Sequence, residues 1–235
     1  MLCKIADLFT EVPEAGDLVP RCREYLWEQA ENVDIAIQAD LFHPEDWPTL
    51  NENAMVYMES GFQFNCSILK HNGMMLHSSA VVLDGKAYLF SGPCGTGKST
   101  HTRLWQQVFG PAAQVINDDK PALRRIDGKW YAYGTPWCGK DGINQNMKAP
   151  LAGICFLKQA PYNKIRRLHT FEASKKIMAQ TIYKFWKAEA LDLMLSLMNS
   201  LVLEIPVFEL ENRPEPEAAQ LSFETMLCAA EEAGL

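Results

Sequence analysis

Apolar and polar positions change period several times along this chain, and each change marks an element. At the centre, Ala80-Val81-Val82-Leu83 and Ala87-Tyr88-Leu89-Phe90 are two β-prone runs separated by Asp84-Gly85, the residue pair that suits a two-residue hairpin turn. A tight turn there pairs Val82 with Ala87, Ala80 with Leu89, and His77 with Gly92. The pattern recurs at 122–126 and 129–133 around Asp127-Gly128. If that second ladder runs on, Asp119 faces Pro136, Asp118 faces Trp137, and 134–140 returns beside the two aspartates.

Between the hairpins the period becomes helical. His101, Leu104, Trp105 and Val108 share one face of a helix over 98–109, which Gly110-Pro111 ends. A short strand over 112–116 then leads into Asn117-Asp118-Asp119. Further on, 151–157 is a continuous apolar run expected at the centre of a sheet. Residues 173–201 read as helix, with Met178, Ile182, Phe185, Leu191, Met194 and Met198 at core spacing, a stripe that signals packing. A Pro-marked strand over 205–210 is expected at a sheet edge, and a helix over 215–233 closes the pattern. Ahead of the first hairpin, the expectations are a strand near 5–12, a helix from Asp17 carrying Leu18, Cys22, Tyr25 and Leu26 on one face, a strand over 33–38, a loop at 43–48, and a helix over 62–70 stopping at Asn72-Gly73.

Bulk properties narrow the function. With 235 residues and 48% apolar positions the chain can bury a full α/β core, and no apolar run approaches bilayer length. The first residues lack a signal-peptide core, so the expected location is the cytoplasm, with no membrane partner. A net charge of −7 argues against a nucleic-acid surface, and the short basic stretch 164–167 reads as a solvated face. Seven cysteines are scattered without a C-x-x-C pair, which suits reduced and mostly buried thiols. No repeat or linker divides the chain, so 1–70 is expected as an N-terminal α+β layer packed on a larger unit, 71–235.

The chemistry concentrates in Gly92-Pro93-Cys94-Gly95-Thr96-Gly97-Lys98-Ser99, which fits G-x-x-x-x-G-K-[ST] between the strand-like 87–90 and the helix-like 99–109. Glycines at this spacing let consecutive N–H groups turn inward, where with the positive helix end they surround phosphate oxygens. Lys98 adds a mobile positive charge, Ser99 offers a hydroxyl to Mg²⁺, and Thr100 follows directly. The expected cofactors are therefore ATP and Mg²⁺. A strand ending in acidic residues downstream is where a second Mg²⁺-holding element belongs.

Nucleotide binding does not by itself make an enzyme. The base-specifying Asn-Lys-x-Asp of switch GTPases is missing, as are the recognition motifs of motors. What sets the chain apart is an ordered triple: His77 at the far end of a hairpin, the Gly92–Ser99 loop, and Asp118-Asp119 after the next strand. This triple resembles the HPr kinase/phosphorylase family and its smaller relatives, and more distantly ATP-dependent phosphoenolpyruvate carboxykinase; Gly95-Thr96-Gly97-Lys98-Ser99-Thr100 of this chain looks especially like the carboxykinase form of the loop. The resemblance covers roughly 75–160 and the rest in general layout. Larger HPr kinases carry a full N-terminal domain and usually a Glu where Thr100 stands, so the likeness is to the small members, which phosphorylate serine in proteins, peptides or as the free amino acid.

The resemblance implies an α/β fold with a P-loop kinase core of mixed sheet and flanking helices. It implies an ATP/Mg-dependent phosphotransferase acting on a hydroxyl, foremost serine in a protein, peptide or small molecule. Lys98 and the loop amides would neutralise charge, Ser99 and Asp119 would hold Mg²⁺, Asp118 would accept the proton, and His77 would orient it or tune its pKa. Adjacent strand residues point to opposite faces, so a strand end or bulge must intervene at the aspartates. Arg103 and Lys140 are open between substrate contact and solvation, and Trp137 between pocket floor and core; His43, His71, His101 and His169 read as structural or surface. An ATP-binding scaffold without transfer and a carboxykinase-like enzyme stand as alternatives, and homo-oligomerisation is left open.

Overall fold

The computed structural model describes residues 1–41, 45, 48–181 and 188–235. The expected loop residues 43, 44, 46 and 47, and the helical positions Ile182 and Phe185, lie outside them. The chain folds as mixed α/β: a nine-stranded mixed sheet, a separate three-stranded sheet and six helices among the described residues.

The central hairpin forms as its turn residues require. Strands β5 (Ser78–Leu83) and β6 (Lys86–Ser91) pair Val82 with Ala87 and Ala80 with Leu89, following β4 (Gly73–Met75). The helix α3 (Lys98–Phe109) ends at Gly110 and leads to β7 (Gln114–Asn117), which pairs with β5. The second hairpin, β8 (Ala122–Ile126) and β9 (Lys129–Tyr133), keeps the register Ala122 with Tyr133. Strand β10 (Lys148–Gln159) pairs antiparallel with β9 along its first residues, then runs parallel between β6 and β12 (Val207–Asn212). Burial on both faces explains its unbroken apolar run.

Three expectations need correction. The helix over 173–201 is two: α4 (Thr170–Gln180) and α5 (Ala188–Glu204). Thr181 turns extended between them, bridges to Leu76, and bonds its hydroxyl to the Ile177 carbonyl at 2.8 Å. Strand β12 is not an edge, because β11 (Lys164–Arg167), the basic stretch, pairs along its outer side. The helix expected over 62–70 starts ten residues earlier, as α2 (Glu52–Ile68), with Asn51 accepting the Ala54 N–H at 2.9 Å as its cap. Gly61 obscures that helix in the sequence, since glycine weakens a helix interior. Here a Cβ would stand 2.9 Å from the Trp137 ring, so only glycine admits the tryptophan.

The N-terminal segment forms β1 (Leu2–Ile5), β2 (Leu8–Glu11), the short α1 (Leu18–Arg21) and β3 (Ile35–Ala36). The strand expected near 5–12 is thus a hairpin centred on residues 6 and 7. Helices α3 and α6 (Pro216–Glu232) pack on one side of the large sheet through Trp105, Phe90 and Met226, while α4 and α5 pack on another core with Leu89, Ile154 and Leu201. A third core joins the N-terminal strands and α2 to Met75, Ala122, Tyr133 and Trp137. No helix among the described residues is long and apolar enough to cross a membrane.

Candidate active site

The glycine-rich segment lies where β6 ends and α3 begins. Gly92, Gly95 and Gly97 have φ of +147°, +82° and +97°, backbone that side-chain-bearing residues rarely adopt. A Cβ on Gly95 or Gly97 would enter open space, so glycine is required there by conformation and not by crowding. Lys98 is buried, and its ammonium donates to the carbonyls of Gly92 (2.9 Å) and Pro93 (3.2 Å). Burial pulls that ammonium below the usual lysine range, against the opposing charges of Cys94, Asp119 and Asp118. The outer loop is pinned by Gln159, whose amide donates to the Gly95 carbonyl at 3.0 Å.

The aspartates lie past the end of β7. The register of β5 on β7 shifts between Ala80 and Val81, and the strand stops at Asn117. The Asn117 amide oxygen then accepts the N–H groups of Asp119 (2.9 Å) and Lys120 (2.8 Å), which closes a turn and frees both carboxylates from strand alternation. Asp118 accepts from the Ser79 hydroxyl at 2.6 Å, and Ser79 meets the Thr102 hydroxyl on α3 at 3.1 Å. Asp119 directs Oδ1 toward His77 Nε2 at 3.4 Å, while Oδ2 accepts from the Tyr57 hydroxyl at 2.6 Å and from the Lys120 ammonium.

His77 therefore stands beside Asp119, not Asp118. Its other ring nitrogen meets the Gln180 amide oxygen at 3.0 Å, and its carbonyl accepts from Ser91 at 2.8 Å, next to the loop entrance. Burial and the Lys98 charge hold the imidazole below its ordinary value of 6.5 despite Asp119, so the ring is neutral at neutral pH. Burial works to raise the Asp119 carboxyl, but Lys120, the Tyr57 hydroxyl and His77 outweigh it and leave the group below 3.8. Burial and the adjacent Asp119 push the Tyr57 phenol well up, so it stays a proton donor.

The second ladder does not run on as expected. Pairing ends at Ala122 and Tyr133, the Thr135 hydroxyl donates to the Lys120 carbonyl at 2.7 Å, and the Lys120 N–H donates to the Trp137 carbonyl at 3.1 Å. Pro121 and Pro136 have no N–H with which to continue a ladder. The returning segment still reaches the aspartates, with Gly139 against Asp119. Trp137 belongs to the core, stacked on Phe64 at 4.7 Å and bonded to the Ser60 hydroxyl at 3.0 Å. Arg103 is paired with Asp141 on the surface, and Lys140 is exposed.

Beside the loop, on the α3 side, opens a cavity of about 510 Å³ lined by Thr96, Gly97, Thr100, Gln159, Asn212 and Arg213 among others. Sequence reasoning missed this cavity and also Tyr57, Ser79, Lys120 and Gln180. Ser78-Ser79, two hydroxyls opening an otherwise apolar strand, and the lysine directly after Asp119 were the available signals; Tyr57 and Gln180 had none.

No family model matches the chain, and no curated protein matches it by sequence. Among solved structures it is similar to the HPr(Ser) kinase/phosphatase from Coxiella burnetii, with 13% identity, a TM-score of 0.38, and coverage of 67% of this chain and 90% of that one.

Proposed function

We propose that this protein is an Mg-ATP-dependent phosphotransferase that acts on a hydroxyl, with serine as the foremost acceptor. The observation that carries the reading is the convergence of three elements: His77 lies 3.4 Å from Asp119 and its carbonyl accepts from Ser91 at the entrance of the glycine loop that holds Lys98, while Asp118 is tied through Ser79 to Thr102 on α3. The donor set suits the groups it would hold. Left-handed glycines open the loop backbone toward a phosphate chain, and a hydroxyl from Ser99 with the Asp119 carboxylate is a hard oxygen pair of the kind Mg²⁺ takes. Bound there, Mg-ATP supplies the phosphoryl group and offsets its charge.

The chain's own residues do the rest. Lys98 and the loop amides place positive charge where negative charge develops on the transferred group. Asp118, which accepts from the Ser79 hydroxyl, takes the acceptor's proton. The Tyr57 hydroxyl and the Lys120 ammonium both donate to Oδ2 of Asp119, so the carboxylate's direction is set before substrate arrives, with His77 beside its other oxygen. The cavity against Thr96 and Gly97 is large enough for the nucleoside portion of the donor.

Incubation with Mg-ATP and free serine or seryl peptides, read by mass spectrometry, tests the proposal. A mass gain of one phosphate on an acceptor is expected, lost in Asp118→Asn. If no acceptor gains phosphate while ATP binds, the protein is a nucleotide-binding scaffold and the reading fails.

A further inference from the structure

Two cations lie against the Tyr57 ring. The Arg21 guanidinium carbon lies 4.9 Å from the ring centroid and the Lys120 ammonium 4.4 Å from it, yet the ring's hydroxyl serves one carboxylate, Asp119. Lys120 is already spent on Asp119. Among the described residues no ion pair joins Arg21, which is half-buried at the end of α1. Its position is not incidental. The Arg21 carbonyl accepts from the Asn144 amide at 3.0 Å, and Asn144 also reaches the Thr135 carbonyl at 3.3 Å, so α1 is tied to the segment that returns beside the aspartates.

We infer that the acceptor carries a carboxylate close to its hydroxyl, and that Arg21 receives that carboxylate. The inference rests on the phosphotransferase reading and names its substrate class. A guanidinium lying on an aromatic face keeps its planar fork of N–H donors free to take both oxygens of a carboxylate. The Arg21 cation, which no ion pair occupies among the described residues, is what an anionic acceptor needs, since its own negative charge would otherwise face two aspartates and a phosphate chain. Two sources share this chemistry: a free hydroxy amino acid, and a peptide ending in one. In either, the new bond joins the hydroxyl oxygen to the γ-phosphorus, the bond from that phosphorus to the ADP oxygen breaks, and the hydroxyl proton passes to Asp118.

The test uses the full chain with Mg-ATP and matched acceptors: L-serine against L-serinamide, and a peptide ending in serine as free acid against its amide. Phosphate incorporation is expected to favour the acid of at least one pair by tenfold or more in kcat/KM. Arg21→Gln should bring that ratio close to one through a higher KM for the acid, and Arg21→Lys should restore part of it. Preference within the serine pair alone marks the free amino acid as the source, and within the peptide pair alone the chain terminus. Equal use of acid and amide overturns the inference while leaving the kinase intact. If neither class takes phosphate, the kinase reading fails, and calorimetric titration with both matched pairs decides the binding claim. Acid-selective binding lost in Arg21→Gln supports it, and equal or no binding overturns it.

Discussion

The two halves of the candidate site are built in opposite ways. On the loop side every part comes from one stretch of chain: β5, β6, the Gly92–Ser99 turn and α3 follow one another, and the Asp84-Gly85 turn sets their register. On the far side Asp119 is held by Tyr57, 62 positions away, while His77 is held by Gln180, 103 positions away. The first half is a local motif that any chain could carry in one piece. The second exists only when the N-terminal layer and α4 have docked. The two halves are thus separable in principle, and the following outcomes measure how far.

The largest effect belongs to Lys98→Ala, which removes the charge at the centre of the loop. Phosphoryl transfer in a coupled assay should fall by about 100- to 1,000-fold, with nucleotide binding weakened in calorimetry. Undiminished transfer would break the assignment of the loop. Trp137→Ala acts on the other half. It empties the stack on Phe64 and is expected to lower unfolding free energy in urea by about 3–5 kcal/mol. Nucleotide affinity in the folded variant should change far less than transfer rate; if both fall together, the halves are not separable.

Tyr57→Phe is gentler. Removing the hydroxyl that serves Asp119, Lys120 and Gly139 should cost about 1–3 kcal/mol in denaturation. Because that hydroxyl helps keep the Asp119 carboxyl low, the acid limb of the rate profile should move to higher pH. An unmoved limb would detach Asp119 from the rate.

Acid titration gives the smallest effect per step and separates the two histidines from Asp119 by pH window. Burial depresses the His101 imidazole on α3 to about 3. Between 6.5 and about 3 the unfolded chain therefore binds a proton that the folded chain refuses. Stability is full above 6.5 and falls on acidification, by about 1.4 kcal/mol per pH unit for one such group. The lowered pKa of His77 adds to the loss just below 6.5. Asp119, depressed below 3.8, contributes stability above that value and loses it only as pH falls further. His101→Gln should reduce the slope of the upper window in pH-dependent denaturation, leaving the part that His77 contributes. Equal slopes in variant and parent would show that His101 takes up its proton in the folded state.

The same contrast decides what could be read without coordinates. Both hairpin registers, the loop and the end of α3 follow from residues within one or two turns of each other, and Asp-Gly turns leave little choice. The turn at Asn117 was legible as a necessity, because two neighbouring carboxylates cannot share a strand face, but its device, an amide taking two N–H groups, was not. Tyr57 carried no signal at all: it sits in a helix that Gly61 hid, and Gly61 is there for Trp137, a partner 76 positions on. The break at Thr181 and the covering of β12 by β11 were likewise invisible, since a local period cannot report which neighbour a strand acquires.

The core that joins Ile5, Tyr25 and Phe64 to Met75, Ala122, Tyr133 and Trp137 has a practical consequence. A boundary drawn at residue 70 looks natural from the sequence, yet severing the chain there would strip Asp119 of its phenol and lay bare greasy side chains on β4, β8 and β9. The first seventy residues wall one side of the Asp119 cluster, and an excised remainder would be a sticky fragment that keeps the glycine loop and loses that wall.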